Sequence, residues 1–512
     1  MNTSRTHNAI RNISVAVSGQ FLNTILSFVC RTIFIYSLGK AYLGVSGLFS
    51  NILSVMSLAE LGIGEAIVYK MYKPMAEQDH ERIKSYMQFY KKAYWLIGTF
   101  IFVVGLIIIP FLKYFIKEAD AIDDLTIIYL LYLFNTASSY FFSYKKIIID
   151  TDQKGYINTI NRYVFLALQT MLQIIVLLLY KNFILYLSIQ IVMNFLANLS
   201  IACKATKMYP YLSGKAKRLE KQDLREIFKQ TSALVAHKVG GVCVSGTDNL
   251  LLSAFIGVTW VGVYSNYVTL LSIPQTFLAY IFSPLTASIG NLVSTATKEH
   301  IKETFNKLLF LNFWLYGFSS ICLFVLLNPF IGKVWVGESF VLTNAIVFFI
   351  VLNFYLTGMR QVVSAFKSTS GLFWNDRFRP IAEAVVNLCA SVLLLRYLGF
   401  VGVVIGTTIS MITTTIWVEA TVVYKHVLGE KAYKFFAKYI QYFASLLFVG
   451  VVTYIICDYI TVRGLGTFII KAVVCVVISN AGFALLYFRT KEFKELVNSY
   501  IIKYLNRLRG KQ

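Results

Sequence analysis

The chain has 512 residues, 57% of them hydrophobic and 14% charged, with a mean hydropathy of +0.65. Those values exclude an ordinary water-soluble globular domain. The net charge of +23 would suit a nucleic-acid binder, but the basic residues sit between apolar runs and form no single patch, so nucleic acid is excluded as a partner.

The first residues, MNTSRTHNAIRNIS, are polar and lead straight into a long apolar stretch. No compact hydrophobic region with a small-residue cleavage site intervenes, so the first helix is expected to remain as an anchor. Apolar runs, each long enough to cross a hydrocarbon core of roughly 30 Å, then follow one another. They predict spans at 10–38, 43–69, 92–116, 124–144, 157–180 and 183–203. Further spans are predicted at 227–256, 261–290, 304–327, 341–366, 378–398 and 400–424, and a last pair at 436–457 and 467–488. The expected fold is an all-α polytopic membrane protein with about fourteen transmembrane helices.

The segments between spans set the orientation. The connector carries Lys204, Lys207, Lys215, Lys217, Arg218, Lys221, Arg225 and Lys229. Placing the N-terminus in the cytoplasm puts most of the Lys and Arg on the cytoplasmic side, and with an even number of spans the C-terminus lies there too. The longest outer loop holds Glu118, Asp120, Asp123 and Asp124 and is too short to form a catalytic site. Ile83, Tyr86, Met87, Tyr90 and Tyr94 share one helical face ahead of the third span. In the tail, Phe493, Leu496, Val497, Tyr500 and Ile501 oppose Lys491, Lys494 and Lys503, which predicts an amphipathic helix at the inner leaflet in contact with membrane lipids.

The chain repeats itself. Ser37 to Val55, SLGKAYLGVSGLFSNILSV, aligns without a gap on Phe255 to Ile273, FIGVTWVGVYSNYVTLLSI. Gly39 falls on Gly257, Gly44 on Gly262, Val45 on Val263 and Ser54 on Ser272. A second match, IIIPFL at Ile107–Leu112 against LLNPFI at Leu326–Ile331, has nearly the same offset. Duplication of a six-helix unit gives two parallel repeats around a central cleft. The expected organisation is an N-lobe at 1–203, a basic connector at 204–226, a C-lobe at 227–425, a helix pair at 436–488 and a basic amphipathic tail at 489–512.

Polar residues inside the spans recur at helical spacing. Gln20, Asn23, Ser27 and Arg31 lie on one face of the first span, and Lys238, Gly241, Ser245 and Asn249 take the equivalent places in the seventh, with Asp248 adjacent. The second span adds Ser46, Ser50, Ser54, Ser57 and Glu60, and the tenth adds Asn353, Thr357, Arg360 and Ser364. Arg31, Lys238 and Arg360 would together cost roughly 8–10 kcal/mol if they faced lipid. They therefore require a water-filled cavity or an acidic partner. Arg31 has a candidate partner in Asp248; for Lys238 and Arg360 no acidic group of matching depth is evident, which favours a substrate-facing role. Glu60 is a candidate for proton exchange. Glu383 and Glu419, near helix ends, are expected to be solvated, and His237 to pack. Pro274 and Pro284 are expected to bend the eighth span.

The seven cysteines form no CxxC pair and no cluster with histidine, so neither a disulfide nor a metal is implied. No P-loop, GxGxxG, HExxH or nucleophile elbow occurs. The chain is expected not to be an enzyme, to need no cofactor and not to hydrolyse ATP; H⁺, Na⁺ or no ion at all could couple its cycle.

The stretch LGKAYLGVSGLFSNILSVMSLAELGIG (Leu38–Gly64) and the loop YKPMAEQDHERIKSYMQFYKKAYWLIG (Tyr72–Gly98) resemble Wzx-type polysaccharide flippases of the multidrug/oligosaccharidyl-lipid/polysaccharide (MOP) exporter superfamily. The motif likeness covers about the first hundred residues, with helix count and repeat extending it; Glu65 departs from the small residue expected there. The resemblance implies an undecaprenyl-pyrophosphate-linked oligosaccharide, moved from the inner to the outer leaflet for surface polysaccharide (O-antigen, capsule or exopolysaccharide), with polymerase machinery as a partner. Arg31, Lys238 and Arg360 would then attract the diphosphate, and Gln20, Asn23, Ser27, Ser245, Asn249, Asn353 and Thr357 would line the cleft. A multidrug (MATE-like) exporter and a lipid II flippase share the fold. A membrane glycosyltransferase or polymerase would require a larger external domain.

Overall fold

The computed structural model describes residues 2–57, 63–117, 122–214, 216–228, 231, 246–372 and 374–497, with the backbone alone for 2–14, 16, 17, 65, 284 and 287. The chain divides into two compact units, 1–265 and 266–512.

The long helices of the first unit are α1 (Asn2–Met56), α2 (Ile63–Glu77), α3 (His80–Ile108), α4 (Leu125–Ser143), α5 (Tyr156–Leu179) and α6 (Phe183–Met208). The unit boundary falls inside α7 (Val258–Thr295). The second unit continues with α8 (Lys298–Pro329), α9 (Asn344–Thr369), α10 (Arg379–Leu398) and α11 (Phe400–Leu428). It closes with α12 (Tyr433–Asp458) and α13 (Leu465–Tyr487). Twelve helices among the described residues are long and apolar enough to cross a bilayer. The two expected spans not counted are accounted for: the first part of 43–69 is fused to the first span within α1 and its residues 58–62 lie outside the described residues, as does most of 227–256. Glu60, Lys238 and Ser245 lie outside them as well, as do His237 and all of the tail beyond 497.

The sequence repeat reappears as geometry. α1 changes direction at Gly39, whose φ of 80° is a conformation that only glycine adopts without strain. Its counterpart Gly257 (φ 143°) ends the π-helical turn Leu252–Ile256. Five residues on, the equivalent glycines serve a different need, which is space. A Cβ on Gly44 would collide with the carbonyl of Val258, and a Cβ on Gly262 with the carbonyl of Lys40. Lys40 and Val258 are themselves repeat equivalents, so the contact is reciprocal, as a local two-fold relation requires. The second sequence match also marks a change in helix type at both places: Ile109–Phe111 is a 3₁₀ turn and Phe330–Trp335 a π turn. α7, by contrast, is continuous helix through Pro274 and Pro284.

Packing in the first unit follows small residues. Gly98 lies against the Cβ of Tyr140, and the Tyr129 hydroxyl donates to the Gly105 carbonyl at 3.0 Å, so α3 and α4 approach closely. Ile83, Tyr86, Met87, Tyr90 and Tyr94 are all buried on α3, as their spacing predicts. Val164, Leu168, Met171, Ile175 and Leu178 on α5 stay exposed. Such a surface suits hydrocarbon rather than water, as in a multi-pass membrane protein.

In the second unit α10 and α11 form a tight hairpin around Gly399 (φ 58°). Gly402 and Gly406 let the two backbones meet, and Asn387 donates to Thr407 at 3.0 Å across the seam. An aromatic cluster ties α8 to α12 and α13. Phe313 stacks on Tyr442 at 4.4 Å, Phe483 lies 5.1 Å from Phe313, and Trp314 donates to Asn480 at 2.9 Å.

Candidate functional site

The polar stripes were the sequence's strongest pointer to a site, and the structure shows partners for several of those among the described residues. On α1, Gln20 accepts a hydrogen bond from the Tyr163 hydroxyl of α5 at 3.1 Å and donates to Thr24 at 3.4 Å. Ser27 donates to Asn23 at 3.2 Å along the same helix. Arg31 donates through Nη2 to the Ser265 hydroxyl at 2.6 Å. Asp248 is buried in the same unit, and the side-chain oxygen of neighbouring Asn249 is buried without a hydrogen-bond partner among the described residues. Ser46 of the second expected span accepts from Tyr132 at 2.7 Å.

On α9 the stripe meets a matching one on α11. Asn353 donates to the Val404 carbonyl at 3.1 Å and accepts from Thr408 at 2.7 Å. Thr357 reaches the Met411 sulfur at 3.6 Å. Asn353 and Arg360 are half-buried and Thr357 is exposed, so one edge of this stripe stays open.

Arg360 begins a closed ion network, and here two expectations are corrected. The guanidinium does have acidic partners. Its Nε lies 3.1 Å and its Nη2 3.4 Å from the Glu419 carboxylate, and its Nη1 lies 3.9 Å from Glu383. Glu383 and Glu419 are not solvated: they are 7% and 1% exposed. The reason is that α10 and α11 both bring a carboxylate to the face of α9 two turns before its end. Lys367, seven residues after Arg360 and on the same face, lies 2.9 Å from Glu419 and 2.5 Å from Asp376. Arg379 completes the set, with contacts to Asp376 at 3.1 Å, Glu383 at 2.9 Å and Glu419 at 3.5 Å, and it donates to Thr415 at 3.2 Å. Thr415 sits in the π-helical turn Met411–Ile416 of α11, and an inserted residue of this kind often marks a functional stretch.

Three cations thus face three carboxylates at one end of α9, α10 and α11. Every carboxylate touches at least two cations, the arrangement that makes a buried ion cluster tolerable. Arg360 is its most exposed member, at 22% of the side chain. Sequence reading did not single out Lys367, Asp376 or Arg379. The signals available were Lys367 at i+7 from Arg360, and Asp376, Arg379 and Glu383 at spacings of three and four.

Two cavities accompany these features. One of about 400 Å³ in the first unit is lined by Tyr69, Tyr72, Tyr90, Lys146 and Asp150. Burial raises the Asp150 carboxyl above its ordinary value, opposed by hydrogen bonding from Asn158. The other, about 380 Å³, is an apolar groove in the second unit between α8, α9 and α12, lined by residues such as Phe324, Phe348, Val351, Leu447 and Tyr454. Among the described residues no group of His, Cys, Asp and Glu is arranged to hold a metal ion.

Comparison with known proteins follows the same line. Residues 9–290 match the family described as polysaccharide biosynthesis protein. No curated protein sequence matches significantly. Among solved structures, the chain is similar to the lipid II flippase MurJ in an inward closed conformation, with a TM-score of 0.67 and 14% identity over 93% of this chain and 99% of that one. It is also similar to an inward-facing multidrug resistance MATE family transporter of the MOP superfamily, with a TM-score of 0.61 and 14% identity over 81% of this chain and 98% of that one. A MOP superfamily transporter from Pyrococcus furiosus, described as having a binding pocket of reverse polarity, matches with a TM-score of 0.51 and 11% identity over 82% of this chain and 96% of that one.

Proposed function

We propose, for a chain that belongs to the polysaccharide biosynthesis protein family, that its cargo is an oligosaccharide repeat unit linked to a polyprenyl diphosphate such as undecaprenyl pyrophosphate. The family and the MOP fold make it a multi-pass membrane transporter of the flippase type. The finer reading is transfer from the inner to the outer leaflet of the bacterial cytoplasmic membrane, by alternating access, with both termini in the cytoplasm. Polysaccharide polymerase machinery is the proposed recipient of the product, and H⁺ or Na⁺ the proposed coupling ion.

The observation that carries this reading is the family match across residues 9–290, and the chemistry of the stripes supports it. A diphosphate diester needs cations, while sugar hydroxyls need amides and hydroxyls, and the spans offer both. Arg31, Arg360 and Lys238 are the proposed diphosphate ligands. Gln20, Asn23, Ser27, Ser245, Asn249, Asn353 and Thr357 are the proposed sugar contacts. Asp248 and Glu60 remain candidates for charge pairing or ion coupling. An exporter of organic cations would call for acidic residues in place of the basic ones.

Binding of an undecaprenyl-diphosphate oligosaccharide to the purified protein tests this, measured against the same oligosaccharide on uncharged undecaprenol. Saturable binding of the diphosphate form alone is expected, weakened at least tenfold in Lys238→Ala and Arg31→Ala. Equal binding of both forms, or preference for an organic cation, would overturn the assignment.

A further inference from the structure

The ion network at the end of α9, α10 and α11 is electrically balanced only while Arg360 belongs to it. The groups that face one another there are Arg360 and Lys367 from α9, Asp376 from the turn that follows, Arg379 and Glu383 from α10, and Glu419 with Thr415 from α11. The Tyr439 phenol of α12 stands near Arg360, and its oxygen is buried without a hydrogen-bond partner among the described residues. His426 meets only the edge of the cluster, through Asn375 at 3.3 Å.

The members are unequal. Lys367 and Arg379 are buried (4% and 9% of the side chain), whereas Arg360 is 22% exposed and is the cation able to turn outward. If it does so, two cations are left with three carboxylates. Glu419 keeps Lys367 and Arg379, and Asp376 keeps the same two. Glu383 keeps Arg379 alone. One oxygen of Asp376 already has no hydrogen-bond partner among the described residues, so the cations of the cluster do not serve every carboxylate oxygen even with Arg360 in place, and the Tyr439 phenol can donate a hydrogen bond but supplies no positive charge. The net negative charge left in a buried cluster favours uptake of a proton, most at the carboxylate left with a single cation.

We propose that this network is a proton-binding site linked to cargo binding: when Arg360 leaves Glu419 and Glu383 for the diphosphate, Glu383 takes one proton from the adjoining water. The carboxylate becomes a carboxylic acid, and the proton returns to the same water when the diphosphate departs and Arg360 re-enters the cluster. This rests on the diphosphate reading above. Linkage fixes the sign: the cargo-bound state holds one more proton, so affinity falls as pH rises, by up to tenfold per pH unit while Glu383 changes state.

The test uses the full-length protein in detergent with undecaprenyl-diphospho-N-acetylglucosamine, a diester whose phosphates do not titrate near neutral pH. Calorimetry in two buffers of different ionisation enthalpy is expected to show proton uptake of up to one per ligand, and binding that weakens as pH rises, by up to tenfold per pH unit. Glu383→Gln is expected to bind with no proton uptake and a flat pH profile. Saturable binding with no proton uptake in the wild type, or the same uptake in Glu383→Gln, overturns the proposal. A ligand-free arm separates the two readings. Arg360→Met carries the unbalanced cluster permanently, so its melting temperature is expected to fall from pH 6 to 8, and Arg360→Met/Glu383→Gln to lose that slope. That pattern without any ligand binding would overturn the diphosphate reading while leaving the charge balance of the cluster demonstrated. A flat Arg360→Met profile would overturn the charge argument itself.

Discussion

The stripes on α1 and α9 look alike in sequence and differ in what stands opposite them among the described residues. On α1, Asn23 and Ser27 bond to each other, and Gln20 reaches across to a single tyrosine. On α9, successive groups engage α11, ending in carboxylates that neutralise Arg360 and Lys367. A polar stripe in a membrane helix therefore has two physical outcomes. It holds helices together where a second stripe meets it, and it stays available to solvent or cargo where none does. Arg360 stands at the meeting of the two, fully partnered yet partly exposed.

Substitutions along the two stripes should separate these outcomes. Lys367→Met should have the largest effect, because it strips a cation from Asp376 and Glu419 in a buried cluster. A loss of about 3–5 kcal/mol is expected, read as a large fall in melting temperature in detergent, with partial recovery in Lys367→Met/Glu419→Gln. Asn353→Ala comes next. It leaves the Val404 carbonyl and the buried Thr408 hydroxyl to find other partners, at about 1–2 kcal/mol. Asn23→Ala should be nearly silent in stability, within about 0.5 kcal/mol, because Ser27 is exposed and loses only a local bond. If Asn23→Ala proved as destabilising as Asn353→Ala, the α1 stripe would be helix-to-helix glue too, and the distinction would fail.

Much of the architecture was legible in the sequence because the bilayer leaves few choices. Spans follow from apolar length, and the duplication follows from Gly39, Gly44, Gly257 and Gly262, whose backbone and spacing demands survive when the surrounding side chains diverge. The buried face of α3 was legible from its period. The ion network was not. Its members come from α9, a turn, α10 and α11, and the pairing of Arg360 with Glu419 spans 59 residues, a separation with no periodic trace. Glu383 and Glu419 lie near helix ends, where solvation is the ordinary expectation; only the close α10–α11 hairpin, made possible by Gly402 and Gly406, turns them inward. Arg31 illustrates the same limit, since one of its bonds is to Ser265, a residue with no charge to announce it.

The most direct measurement of the central claim is a flipping assay in proteoliposomes. It follows a fluorescent undecaprenyl-diphosphate oligosaccharide from one leaflet to the other, for the wild type and for Lys238→Ala. The account predicts protein-dependent transfer by the wild type and at least a tenfold lower rate in the variant, at equal insertion and melting temperature. Transfer that proceeds equally without the protein, or a variant as fast as the wild type, would contradict it.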